Sequence, residues 1–147
     1  MFLYHATNSR NVPSILKEGL LTHPPKHNWH RITDNAEVIY LAFNPETAMC
    51  YAESQDEMPE AITVLKVNVD TLEPYEFGYD WQNRCEYLQD INSCVYEKDI
   101  PPEAISLCSS KNLILSMQEL KDFKGTTLYN IIVDTFNEEC ETNKERE

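Results

Sequence analysis

Two short apolar segments, each carrying one polar ring, head this chain: Phe2-Leu3-Tyr4-His5-Ala6-Thr7 and Val38-Ile39-Tyr40-Leu41-Ala42. Both have the length and the β-branched or aromatic content of strands. Between them Asn11 to Glu18 has the marks of a helix. Asn11 can cap it, Pro13 suits its first turn, Ile15 and Leu16 can face a core, and Gly19 can end it. Leu20-Leu21 then leads into Thr22 to His30, where two prolines and little periodicity predict a loop. The order strand with His, helix, loop, strand with Tyr constrains the fold far more than either segment alone.

The rest of the chain adds strands in the middle and helices late. Asn44-Pro45-Glu46 reads as a helix start, with the helix running to about Glu53 and Ala48, Cys50, Tyr51 and Ala52 partly buried. Ala61 to Val69 is the clearest strand, because Ile62, Val64, Leu65, Val67 and Val69 are mostly β-branched. Thr71 to Asp90 is rich in aromatics and carries no clear pattern. Ser93 to Tyr96 is a short strand, Pro101-Pro102 forces a turn, and Ala104 to Cys108 is a further strand. Ser116-Met117-Gln118-Glu119 is a capping box, and Thr126 to Glu141 is a last helix with Leu128, Ile131, Ile132, Thr135 and Phe136 along one face. No repeat or linker divides the chain. The expected class is α+β, with a domain over residues 1–108 and a helical extension over residues 109–147 packed on it, its acidic tail disordered.

Composition narrows the partners. A chain of 147 residues is long enough for one core without metal or disulfide support. The formal charge is −13 and the isoelectric point about 4.6. Such a surface repels phosphate backbones, which disfavours non-specific nucleic-acid binding. Five cysteines, without a CxxC pair and at wide spacing, suit reduced thiols in a cytoplasmic protein. No apolar run approaches a membrane span, and the N-terminus lacks a secretory pattern.

Three stretches in order give the chain a resemblance to the ADP-ribosyltransferase fold. That group includes the poly-ADP-ribose polymerases, the DNA-modifying ADP-ribosyltransferase toxins and the RNA 2′-phosphotransferases. Leu3-Tyr4-His5-Ala6-Thr7 resembles the family's strand of hydrophobic, aromatic, His, Gly and Thr or Ser. Ile39-Tyr40-Leu41-Ala42, with Tyr51 on the following helix, resembles the Ile-Tyr-Phe-Ala segment and its helical Tyr. Val95-Tyr96 through Ile100-Pro101-Pro102-Glu103-Ala104-Ile105 resembles the Val-Pro-Pro-Glu-x-Ile stretch of the toxin and phosphotransferase branches. The resemblance covers residues 1 to about 108.

The resemblance implies a split, twisted antiparallel sheet around an NAD cleft. It implies that His5 bonds the adenosine ribose, that backbone groups at Ala6 and Thr7 hold the nicotinamide carboxamide, and that Tyr40 and Tyr51 sandwich the nicotinamide. A planar cationic ring favours aromatic faces, and a ribose diol favours a fixed imidazole. The family's third motif carries a Glu before the strand that leads to the Pro-Pro turn, and Ser93 stands nearest that place here. His5, Tyr40 and Ser93 are then the implied catalytic residues. The implied function is mono-ADP-ribosyl transfer from NAD to a macromolecular acceptor, protein favoured by the acidic charge, with an inhibitor protein as a candidate partner for the last helices if the protein is a toxin. The missing Glu keeps two alternatives open: a module that binds NAD or ADP-ribose without turnover, and chemistry of the RNA 2′-phosphotransferase type.

Other polar groups compete for attention. Arg10, Lys26, His27 and Arg31 could face the phosphates of a dinucleotide, with solvated surface as the competing role. His23, His27 and His30 cluster in the loop, but no acidic or Cys ligand completes a metal set, so no metal is expected. Glu97, Asp99 and Glu103 read as a surface turn. The aromatic run Tyr75 to Tyr87 reads as packing beneath a long loop, and in the family that region tends to contact the acceptor.

Overall fold

The computed structural model describes residues 1–22, 38–53, 61–80, 87, 91–108 and 124–146. These form an α+β arrangement around one antiparallel sheet. Its strands are β1 (Phe2–Asn8), β2 (Ile39–Ala42), β3 (Ile62–Asn68), β4 (Phe77–Tyr79), β5 (Ser93–Tyr96) and β6 (Ile105–Leu107). Their order across the sheet is β4-β5-β2-β1-β3-β6. Helices α1 (Val12–Glu18), α2 (Pro45–Glu53) and α3 (Thr127–Arg146) complete it.

The two sides of β1 are paired very differently. Toward β3 the ladder is continuous from Phe2↔Asn68 to Asn8↔Ile62. Toward β2 the register holds only Tyr4↔Ala42. The sheet is therefore two three-stranded halves, β4-β5-β2 and β1-β3-β6, joined at one pivot. Past that pivot His5 to Asn8 and Ile39 to Leu41 part from each other and make a fork.

Alternation along the strands builds a core on each face. Leu3, Leu41, Leu65, Val67, Cys94 and Ile100 belong to the larger core, with Leu128, Ile132 and Phe136 of α3. Tyr4, Ala6, Ala42, Ile62 and Val64 meet Ala48 and Ala52 of α2 in the smaller one. Four alanines let α2 lie close over the pivot. Helix α3 packs against β4: the Phe136 and Tyr79 rings meet edge to face at 5.0 Å, and Thr126 Oγ1 accepts the Tyr129 N–H at its start.

Several local expectations shift. β1 extends one residue past Thr7 to Asn8, because β3 pairs with its whole length. Asn11 does not cap α1 through its side chain; its amide donates to Thr7 Oγ1, while Asn8 Oδ1 caps the short 3₁₀ turn Ser9–Asn11. Ala104 lies in the 3₁₀ turn Pro102–Ala104 set by the two prolines, so β6 starts at Ile105. The aromatic stretch after Thr71 holds the turn Pro74–Glu76 and edge strand β4. Helix α3 runs to Arg146, past the predicted end at Glu141, with no Gly or Pro to stop it. The capping box at 116–119 lies outside the described residues.

Gly19 ends α1 as its position predicts. Its φ is +90°, and a Cβ there would stand 2.1 Å from the Ile100 carbonyl oxygen. That closeness lets Leu20 and Ile100 exchange both backbone hydrogen bonds, at 2.9 and 2.8 Å, which ties the start of the second loop to the Pro-Pro turn. Asp99 reinforces the tie by accepting from the Thr22 N–H and hydroxyl at 2.8 and 2.9 Å.

Candidate active site

The fork brings His5 and Tyr40 together, through the ring of one and the backbone of the other. Among the described residues, the half-buried His5 bonds through Nδ1 to the Tyr40 carbonyl oxygen at 2.8 Å. A carbonyl can only accept, so Nδ1 carries the proton. A continued β1–β2 ladder would have used that carbonyl; the imidazole takes it instead and closes the ladder at the fork. Burial pushes the His5 pKa below its ordinary value, against the opposing effect of the carbonyl bond. The ring is therefore neutral at pH 7, with Nε2 as an acceptor.

Backbone alternation decides what Ala6 and Thr7 present. Val64 is the partner of Ala6, and its carbonyl is taken on the far side by the Cys108 N–H at 3.0 Å. Ala6 and Val64 are therefore a non-hydrogen-bonded pair, and Ala6 turns its own N–H and C=O toward the fork. Thr7 has the opposite parity and turns its backbone toward β3. Its side chain is buried, and its hydroxyl accepts from Asn11. Arg10 follows β1 directly and is exposed. Arg31, Lys26 and the three histidines 23, 27 and 30 lie outside the described residues.

Tyr40 and Ser93 lie on the face covered by α2. The cross-strand pairs Tyr40↔Val95 and Ala42↔Ser93 make them diagonal neighbours. The Tyr40 ring is half-buried, but its hydroxyl is fully buried and has no hydrogen-bond partner among the described residues. Burial first, and the charge of Asp80 second, push its pKa up to about 12. Alternation puts the His5 side chain on the opposite face, with Leu3 and Leu65. What His5 and Tyr40 share is the gap between the strands.

Ser93 is bonded inward. Its hydroxyl donates to Asp80 Oδ2 at 3.0 Å, and both residues are buried. From α2 the Tyr51 hydroxyl reaches Asn92 Oδ1 at 2.8 Å and Ser93 Oγ at 3.3 Å. Asp80 is the residue that reading the sequence missed. It follows β4 in the aromatic stretch without a pattern, and only the pair Tyr79↔Cys94 brings it beside Ser93. The signal available was Phe77-Gly78-Tyr79, apolar residues flanking a Gly and running into an acid. Asp80 also helps burial to push the Cys94 thiol well up, so Cys94 is a protonated core residue and no nucleophile.

Among the described residues, no group of His, Cys, Asp and Glu could hold a metal ion, and no helix is long and apolar enough to cross a membrane. Cys50 and Cys94 are free thiols. No protein-family model and no curated protein matches the chain.

Proposed function

We propose that the protein is a cytoplasmic, NAD-dependent mono-ADP-ribosyltransferase whose acceptor is a macromolecule, protein in preference to nucleic acid because of the charge of −13. The fork between β1 and β2 carries this reading. Its hydrogen-bonding groups match those of a nicotinamide nucleoside. A carboxamide offers both donor and acceptor, and the Ala6 N–H and C=O supply the complementary pair. A ribose hydroxyl can donate to His5 Nε2. The half-buried Tyr40 ring offers a planar nicotinamide an aromatic face.

NAD would supply a glycosidic bond whose nicotinamide leaves readily. The chain's own part is to orient and to shield. His5 fixes the ribose by accepting one hydrogen bond in a defined tautomer. Ala6 holds the carboxamide through rigid strand backbone, and Tyr40 and Tyr51 supply ring faces that exclude water. Arg10, exposed at the end of β1, is available for a phosphate.

Incubating the purified protein with NAD and following nicotinamide release tests this, beside calorimetric titration with NAD. Release that falls about tenfold or more in His5→Ala and Tyr40→Ala supports transfer. Absence of NAD binding overturns it. One observation favours a second reading, an NAD- or ADP-ribose-binding module: Ser93 stands where the resembling family carries Glu. Binding without release is its signature.

A further inference from the structure

The composition of β1 and β2 does not explain why their ladder stops. Residues 3–8 and 39–42 contain no Pro, Gly, Lys, Arg, Asp or Glu, the residues that usually keep strands apart. Each strand is held extended by its outer neighbour: β3 pairs with all of β1, and β5 pairs with β2 from Ile39 to Ala42. Yet the register between β1 and β2 holds only Tyr4↔Ala42. Ala6 with Tyr40 is the next pair in step, and both turn their backbone groups toward the gap. Ala6 does so as the partner of Val64, and Tyr40 because Phe43, of opposite parity, gives its N–H to the Asn92 carbonyl at 2.9 Å on the β5 side. A completed pair would join Ala6 N–H to Tyr40 C=O and Tyr40 N–H to Ala6 C=O. The His5 ring stands in that exchange, with Nδ1–H on the Tyr40 oxygen at 2.8 Å. Of the other side chains that β1 turns to the same face, Leu3 has no donor and the Thr7 hydroxyl is bonded to Asn11.

We propose that His5 is the positioning residue that holds the fork open: by occupying the Tyr40 carbonyl it blocks the Ala6–Tyr40 pair and leaves Ala6 N–H, Ala6 C=O and Tyr40 N–H facing the gap for a ligand. The inference stands apart from the NAD reading, because it concerns the strands and not what binds between them. It gives the imidazole a task through Nδ1 that is separate from any contact through Nε2. A side chain without a donor at residue 5 frees the carbonyl. Two strands of β-forming residues then zip by one more hydrogen-bonded pair. The cost of backbone groups left without partners drives that closure. A fork closed in this way is lost to every ligand, whatever its chemistry.

Amide hydrogen exchange on the full chain, read residue by residue by NMR, tests this without any ligand. Thr7, whose N–H pairs into β3, is the internal reference. In the wild type the Ala6 and Tyr40 amides should exchange about tenfold or more faster than Thr7, the worth of one hydrogen bond. In His5→Leu, whose side chain suits the apolar face beside Leu3 and Leu65, both should slow to about the Thr7 rate. His5→Val serves as a second variant of the same kind. His5→Asn places an amide donor where Nδ1 stands, so it should keep both amides fast. Wild-type Ala6 and Tyr40 amides as slow as Thr7 overturn the inference before any variant is made. So do amides that stay fast in a folded His5→Leu or His5→Val, or that slow equally in His5→Asn.

Discussion

The two half-sheets on either side of the Tyr4–Ala42 pivot are built on different terms. The β1-β3-β6 half has two seven-residue strands in unbroken register and buries Leu3, Leu65 and Val67 almost completely. Its one site side chain, His5, points out of a ladder that does not need it. The β4-β5-β2 half has strands of three and four residues. It carries the buried polar groups Asp80 and Ser93 and the unpartnered Tyr40 hydroxyl. Short strands and buried polar atoms are both costly, and this half leans on α3 to offset them. Long unbroken pairing and short strands with buried polar groups thus lie on opposite sides of the pivot at which the fork opens.

The sharpest way to break the comparison is to remove α3. Ending the chain at residue 110 takes Leu128, Ile132 and Phe136 out of the larger core. Each costs about 2–5 kcal/mol when cut to Ala, so the sum rivals the ~5–15 kcal/mol stability of a whole domain. The truncated chain should be insoluble or unfolded by circular dichroism. A soluble, folded product would show that the β4-β5-β2 half stands without support.

On the other side of the pivot the expected loss is smaller and local. Leu65 is completely buried and faces His5 across the β1–β3 ladder. Leu65→Ala should lower stability by about 2–5 kcal/mol in urea unfolding and leave the nicotinamide-release rate per folded molecule unchanged. A variant that kept its stability but lost the rate would tie the reaction to Leu65 through its cross-strand neighbour His5.

How much of this was legible in the sequence follows the same division. Strands with a local signal were readable: Ser93 to Tyr96 has its predicted bounds, and Ile62 to Asn68 lies one residue inside them. Helix α2 was readable from Asn44, whose Oδ1 accepts the Thr47 N–H at 2.8 Å. The fork was not, because it is made by pairing that fails to continue, and no residue type encodes a missing ladder. Asp80 was not legible for a related reason. Its partners Ser93 and Tyr40 come from two other strands, and the sheet order that joins them is a long-range property. The Asn11 cap misled because Asn8 and Asn11 compete for one turn, and the 3₁₀ segment between them is stabilised by Asn8.

Within the polar half, Tyr40→Phe separates stability from binding. The phenol oxygen is buried and unpartnered among the described residues. Removing it takes away an unsatisfied group, so stability should stay level or rise by up to about 1–2 kcal/mol. NAD affinity should hold at the same time, because the ring face remains. Loss of stability would mean that the hydroxyl has a structural partner. Alkaline titration gives a second check: the tyrosinate signal missing in Tyr40→Phe should be the component that titrates at about 12 in the wild type.

The smallest expected effect concerns His5 and acid. Burial holds its folded pKa below 6.5, so between that depressed value and 6.5 the unfolded chain binds more protons than the folded one. Stability therefore rises with pH across this window and is fully present above 6.5; acid removes it. One residue contributes at most one proton to the slope. In His5→Gln that contribution disappears, while the carboxylates titrate as before. The difference between the two stability–pH curves should be flat above 6.5 and should narrow as pH falls below it. Protonation also gives Nε2 a hydrogen and turns it from acceptor to donor, so NAD affinity should weaken over the same window. A wild-type affinity that held constant there, with the stability difference present, would keep His5 as the clasp that ends the β1–β2 ladder and remove it from the ligand.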